Sequence, residues 1–317
     1  MTGLPFVSLA PLPSPVHEMA RLREALGGGP RLLIKRDDAL PFAFGGNKVR
    51  KMQLVAGDAV RSGADTLITC GGIQSNHARV TAAAAAKLGL GCILVANGAP
   101  AERPTANALL DRLLGADIRY VTDRAGRAPA MEAAADERRR AGHRPYVIPI
   151  GASTPLGAAA FVSAVAELRS QLDTVPAFII YSTSSGGTQA GLVAGCALAG
   201  VDTRVIGISA DEPADALERE IRTILDGMPA LLGREPGLFG SVRVEVDDRF
   251  VGGGYGVPTK ESTSAIDMLA RSEAIFLDPT YTAKAMAGLI ARVRAGEFGE
   301  DQTVLFWHTG GQVGLFA

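Results

Sequence analysis

The sequence predicts an α/β protein built on mainly parallel sheets with helices over both faces. Two observations carry that expectation. Short β-branched runs alternate with alanine-rich helical stretches along almost all of the 317 residues, an order that requires crossover connections and therefore parallel strands. Several loops that leave the strands are rich in glycine and hydroxyl residues, as expected where parallel strands deliver their carboxyl ends to a ligand. With 47% hydrophobic and 21% charged residues the chain has material for a core, and this balance excludes collagen, disorder and coiled coil.

Strands are predicted at residues 32–35, 66–70, 92–96, 118–121, 146–150, 178–182, 204–209, 242–246 and 304–308. Helical patterns lie between them at 78–88, 106–114, 128–141, 156–172, 189–199, 214–225, 260–272 and 283–295. Their alanines allow close approach to a sheet without a helix-propensity cost. One more helix opens after the turn Gly45-Gly46. No fixed-period repeat and no low-complexity linker divides the chain. Two lobes that share segments are therefore expected, instead of domains in sequence.

Charge and cysteine content narrow the function. A net charge of −1 argues against nucleic acid or an anionic membrane as partner. The longest apolar stretch, residues 190–201, falls short of the ~20 residues a membrane span needs. The first 15 residues carry four prolines and no basic start followed by an apolar run, so no signal peptide is read there. Cys70, Cys92 and Cys196 form neither a CxxC pair nor a disulfide framework and are expected as small buried residues. A soluble cytoplasmic protein is expected. His17, His77, His143 and His308 show no metal-ligand spacing, and no metal is expected. His17 and His143 read as surface residues, whereas His77 and His308 stand in the glycine-rich loops. No GxSxG elbow is present, and Asp37-Asp38 is expected to brace the turn before Pro41.

Three loops remain: residues 70–77, 182–189 and 308–311. The run Ser182–Thr188 suits a phosphate, because glycine amides, hydroxyls and a helix N-terminus converge there. It is neither a Walker A loop nor a GxGxxG fingerprint; a glycine turn for tight packing is the alternative. Lys48, Arg50 and Lys51 place three cations in four positions at a helix start, which opposes the helix dipole and makes sense beside an anion. A desolvated lysine there can become a Schiff-base nucleophile; a solvated basic helix start is the alternative.

Taken together and in order, Lys35-Arg36-Asp37-Asp38, residues 45–51, Gln74-Ser75-Asn76-His77, residues 186–191, Tyr255-Gly256-Val257-Pro258, Asp278-Pro279-Thr280-Tyr281 and His308-Thr309-Gly310-Gly311 strongly resemble the D-cysteine desulfhydrase and 1-aminocyclopropane-1-carboxylate deaminase family. The match runs from about Pro13 to Phe316. The resemblance implies a two-lobed pyridoxal-phosphate enzyme of fold type II, tryptophan-synthase-β-like. Residues 1–50 with 161–317 would form the larger, cofactor-binding lobe, and residues 51–160 a smaller lobe closing over the substrate. A homodimer is implied as well.

In this resemblance Lys48 carries pyridoxal 5'-phosphate as a Schiff base, and Asn76 bonds its phenolic oxygen. Lys51 with Ser185, Gly186, Gly187 and Thr188 holds the phosphate. Ser75 and the amides of Asn76 and His77 receive the carboxylate of a small amino acid. Ser75, Tyr255 and Tyr281 assist proton transfer. Thr282 and Thr309 stand where the deaminases resemble Glu and Leu, close to the pyridine nitrogen. Threonine favours a neutral ring, sufficient when a good leaving group departs from Cβ, so these two residues favour β-elimination, with D-cysteine as leading substrate. The alternatives are the deaminase, a lyase for another β-substituted alanine such as cysteate, and a non-catalytic cofactor or amino-acid sensor. The glycine pairs 45–46, 71–72, 186–187 and 310–311 are expected to approach the cofactor, and residues 27–29 and 252–254 to form mobile loops.

Overall fold

A computed structural model describes residues 3–317. Its strands are β1 (Val16–Glu18), β2 (Arg31–Arg36), β3 (Thr66–Gly72), β4 (Gly91–Asn97), β5 (Asp117–Val121), β6 (Pro145–Val147), β7 (Phe178–Thr183), β8 (Arg204–Ser209), β9 (Glu245–Asp247) and β10 (Thr303–His308). Its α-helices are α1 (Ala20–Ala25), α2 (Asn47–Arg61), α3 (Asn76–Leu88), α4 (Ala106–Leu113), α5 (Arg127–Arg140), α6 (Pro155–Gln171), α7 (Gly187–Ala199), α8 (Ala214–Leu231), α9 (Lys260–Glu273) and α10 (Thr282–Arg294).

The strands form two sheets. The larger has the order β1-β2-β10-β7-β8-β9 and the smaller β5-β4-β3-β6. Every pairing is parallel except β1 with β2. Strand alternation divides the larger core: Leu305 and Trp307 pack with α6, α7 and α8, while Val304 and Phe306 pack with α9 and α10. Phe161 meets Trp307 edge to face at 5.9 Å. In the smaller sheet Leu67 packs toward α2 and α3, and Ile68 and Cys70 toward α5. All three cysteines are free and buried, as expected. Among the described residues no helix is long and apolar enough to cross a membrane.

Several elements differ from the sequence reading. Strand β1 and helix α1 were not expected; each is held by neighbours and not by its own pattern, β1 through its ladder to β2. The strand at 146–150 ends at Val147 because the chain turns through Ile150–Ala152 with Gly151 at φ 68°. The strand at 242–246 shrinks to Glu245–Asp247, and α8 continues through Pro229 to Leu231.

A buried ionic network fixes α2 against the larger sheet. The Arg50 Nε lies 2.9 Å from both Asp37 oxygens, and Nη1 and Nη2 donate to Glu167 at 2.9 and 2.8 Å. Asp37 also accepts from Ser14 Oγ and Trp307 Nε1, both at 2.8 Å. The fully buried Lys35 donates to Glu167 and to the Ser14 carbonyl. Asp37 thus braces α2, β2, β10 and α6 together, well beyond the turn before Pro41. Removing one partner of such a cluster leaves buried charge and donors unmatched, so Asp37→Ala should cost at least about 3 kcal/mol of stability. By contrast, Glu18→Gln at the exposed Arg31–Glu18 pair should cost less than about 1 kcal/mol. Urea unfolding of both variants checks the difference through the transition midpoints.

Candidate active site

One cleft collects the loops from the carboxyl ends of β3, β7, β8 and β10 and the start of α2. Residues three apart share a helix face, so Lys48 and Lys51 project together while Arg50 turns to Asp37. The three clustered cations of the sequence are therefore not one patch. Lys48 opens on the cleft with its Nζ 3.3 Å from Asn47 Oδ1. Desolvation, and secondarily the charge of Arg79, lower its pKa to about 8, which leaves roughly a tenth of it neutral and nucleophilic at pH 7, far more than an ordinary lysine.

Lys51 is wholly buried, donating to the Gly151 carbonyl at 3.0 Å and to Ser153 Oγ at 3.2 Å. Ser153 Oγ lies 2.7 Å from Ser185 Oγ and accepts from the Gly187 amide at 3.3 Å. Helix α7 starts there with no side-chain cap and no acid in its first turn. A Cβ on Gly187 would sit 2.8 Å from Lys51 Nζ and from Ser153 Oγ, so glycine alone lets the helix end close on the ammonium. Free amides, serine hydroxyls and a cation make the donor set of a phosphate site. Burial, then the charge of Lys48, press the Lys51 pKa well down; a phosphate would relieve that. Thr188 joins the wall, its Oγ1 accepting from Asn47 Nδ2 at 3.1 Å.

At the N-terminus of α3, Asn76 Oδ1 accepts from Arg79 Nη1 at 2.8 Å and from Asn107 Nδ2 at 3.0 Å. A guanidinium can only donate, so the Asn76 amide is fixed with its Nδ2 as the unspent donor. That matches an acceptor such as a phenolic oxygen. Ser75 caps α3, its Oγ accepting from Ala78 N at 3.2 Å, and keeps its hydroxyl proton to give. The His77 ring is used structurally: Thr69 donates to the Ile148 carbonyl at 2.7 Å, so His77 Nε2 donates to Thr69 Oγ1 at 2.8 Å. Burial, then Lys48 and Lys51, hold that ring neutral, well below its usual pKa.

Across these loops Tyr255 and Tyr281 share a 2.6 Å hydroxyl–hydroxyl hydrogen bond. Burial raises both phenols, Tyr281 well above its ordinary value. Lys284 Nζ donates to the carbonyls of Ala210 (3.0 Å), Val251 (2.7 Å) and Gly254 (2.8 Å), so the segment 252–254, expected to be mobile, is pinned beside Tyr255. Thr309 lines the cleft. Thr282 does not: it is fully buried, and its hydroxyl donates to Asp278 Oδ1 at 2.6 Å. His308 serves the backbone, accepting from Gly310 N and donating to the Phe276 carbonyl.

Gly46 and Gly310 pack on each other at the edge of the cleft, which Gly310 also lines, whereas Gly45 and Gly311 lie against Asp38 and Asp278. A Cβ on Gly310 would lie 2.6 Å from Gly46 Cα, and one on Gly46 would lie 2.8 Å from the Thr309 carbonyl. Sequence reasoning also missed Asn47, Arg79, Arg124, Arg127, Ser153 and Asp211. Ser153 had a signal: residues 151–154 form another glycine- and hydroxyl-rich stretch after a strand. The residues present fit pyridoxal phosphate, because the Gly187 cradle and the unspent Asn76 donor match its two acceptor groups.

Comparison with known proteins agrees. A family model described as pyridoxal-phosphate dependent enzyme matches residues 7–310. The D-cysteine desulfhydrase of Klebsiella pneumoniae (strain 342) is 36% identical over 330 residues, covering 100% of this chain and 97% of the relative. That of Yersinia pestis (strain Pestoides F) is 39% identical over 326 residues with the same coverage. Among solved structures, an ACC deaminase homologue superposes with a TM-score of 0.92 at 37% identity, covering 99% of this chain and 94% of that one. A fungal L-serine ammonia-lyase from Rhizomucor miehei shares the fold, with a TM-score of 0.70 at 19% identity over 98% and 96% of the two chains.

The lowered pKa of Lys48 has a direct readout. Only the neutral amine attacks an electrophile, so labelling of Lys48 in the cofactor-free protein should rise with pH through a midpoint near 8. Arg79→Gln removes a nearby positive charge and should move the Lys48 midpoint upward. Peptide mass spectrometry across pH 6–11 measures both.

Proposed function

The chain belongs to the pyridoxal-phosphate dependent enzymes, and from that premise we propose that it is a β-elimination lyase acting on D-cysteine and releasing sulfide, pyruvate and ammonia. One observation carries the reading: a desolvated Lys48 shares one cleft with a phosphate cradle and a hydrogen-bonded tyrosine pair. Lys48, Lys51, Ser153, Ser185, Gly187 and Asn76 are the residues that would hold the cofactor. Once bound, its conjugated ring supplies the electron sink for the pair left at Cα.

The chain's own groups supply the remainder. The amides at the start of α3 and the Ser75 hydroxyl receive the substrate carboxylate, and the helix dipole adds to their pull. Lys48 Nζ, with its pKa near 8, removes the Cα proton, with Ser75 beside it as relay. Tyr255 and Tyr281 remain protonated at neutral pH because burial raises them. That equips the pair to donate a proton to the departing sulfur and take it back from solvent. Of the two threonines singled out in the sequence, Thr309 lines the cleft and supports elimination over ring opening of a cyclopropane, since a threonine there does not protonate the ring and a good leaving group at Cβ makes a weaker electron sink sufficient.

Protein incubated with pyridoxal phosphate should gain a visible band at roughly 410–430 nm, because lysine and cofactor join in one conjugated system. Lys48→Ala should lack the band and lose at least about 10³-fold in sulfide release from D-cysteine, since it removes nucleophile and base together. A colourless wild-type protein would sink the reading. Release of 2-oxobutyrate from the cyclopropane substrate at rates rivalling sulfide would instead favour the deaminase.

A further inference from the structure

Three cations line the cleft, and they differ in what neutralises them. Lys48 is assigned above. Arg124 is compensated: it pairs with Asp211 at 3.6 Å and Glu212 at 3.1 Å, and lies 5.1 Å from the Tyr255 ring centroid. Arg127 is not. It is only 9% exposed, and its Nε and Nη2 both donate to one neutral acceptor, Asn97 Oδ1. Among the described residues no carboxylate lies within 4.0 Å of it, and its Nη1 has no protein partner.

Its position adds to the imbalance. Arg127 is the first residue of α5, whose first turn carries no acid, so the helix dipole adds positive potential where a cation already stands. Asp123 accepts from the Gly126 amide at 3.0 Å but does not pair with the guanidinium. The one acid in the cleft wall, Asp211, is engaged by Arg124, and burial raises its pKa. A buried guanidinium without a counter-charge is costly unless an anion completes it.

The location says which anion. A Cβ on Gly72 would lie 3.9 Å from Asn97 Oδ1, 3.9 Å from Tyr255 Cε1 and 4.0 Å from Arg127 Nη2. Arg127, Asn97 and Tyr255 thus converge at the head of the loop that leads to Ser75. Two anion sites are already allotted: a phosphate to Lys51 and α7, and the α-carboxylate to Ser75 and the amides of α3. A third anionic group would then sit beside Tyr255, on the side of the cleft that the proposed function gives to the substrate's β-substituent.

We propose that Arg127 forms an anion subsite for the β-substituent, so that the cleft takes alanines whose β-substituent is anionic: a thiolate, a sulfonate or a phosphate ester. This rests on the lyase reading of the same cleft, and Arg127 acts as a specificity determinant within it. Two unreactive probes of matched shape test it, since neither carries an α-amino group. Cofactor-loaded protein is titrated calorimetrically with 3-sulfopropanoate and with its uncharged-tail counterpart 4,4-dimethylpentanoate.

The expected result is at least ten-fold tighter binding of the sulfonate. Arg127→Gln should abolish that preference while leaving the affinity for dimethylpentanoate unchanged, and Arg127→Lys should keep part of it. Equal affinities in the native protein, or a preference that survives Arg127→Gln, would overturn the proposal. If Arg127→Gln does not fold, the native preference and Arg127→Lys decide. In turnover, Arg127→Gln should raise KM for D-cysteine, cysteate or O-phosphoserine, whichever reacts, and leave 3-chloroalanine within about two-fold. Equal losses on charged and uncharged substituents would count against it. Failure of the lyase reading is separately visible, as a missing absorbance band or no 2-oxo acid from any of these substrates while the probe preference persists.

Discussion

The fork between Arg50 and Asp37 is the constraint on which the rest of the site depends. Helix α2 must present Lys48 and Lys51 to the cleft, and the same turn carries a third cation into the protein interior. A buried guanidinium costs several kcal/mol unless its donors are matched. Here Asp37 and Glu167 match them in bidentate geometry, which fixes orientation as well as charge. Rotating α2 by one residue, about 100°, would strand Arg50 and carry Lys48 out of the cleft. Because Trp307 and Ser14 also bond to Asp37, the helix is indexed to the larger sheet.

The two faces of α2 therefore follow opposite rules. Toward the core, each cation meets an acid. Toward the cleft, Lys48 and Lys51 meet none, and their pKa values fall through burial. Arg127 repeats the pattern from the smaller sheet. Positive charge left uncompensated in a cleft is an electrostatic cost to the free protein, and it makes anions favourable occupants. Electrostatic complementarity is thus built before any ligand arrives, with the counter-charges supplied by cofactor and substrate.

Much of this architecture was legible in the sequence, and the residues that were not share a physical reason. The parallel sheets followed from the alternation of strand and helix patterns, and the Ser182–Thr188 loop announced itself by composition. Lys48 and Lys51 could be singled out, but not separated from Arg50, because the partners of Arg50, Asp37 and Glu167, are 13 and 117 residues away. Strand β1 has three residues and no pattern of its own. Gly46 and Gly310 were read as making room for a cofactor; they also make room for each other, a backbone crossing that no local window contains. Arg127 opens what reads as an ordinary charged helix, and only burial against Asn97 sets it apart from the other arginines of α5.

The groups divide by element in a way that bears on how specificity is held. The residues that would hold the cofactor come from α2, the start of α3 and the start of α7, elements locked into the two cores. The substrate's side group would, on the proposed reading, meet Tyr255 and Arg127, carried by a loop and a helix end. Those two are positioned by single clasps: Lys284 on three carbonyls for the Tyr255 segment, and Asn97 for Arg127. A clasp of this kind can be altered without unpacking a sheet, whereas the cofactor contacts cannot. On the proposed reading, reaction type is therefore tied to the fold, and the choice of β-substituent to a few side chains at its edge.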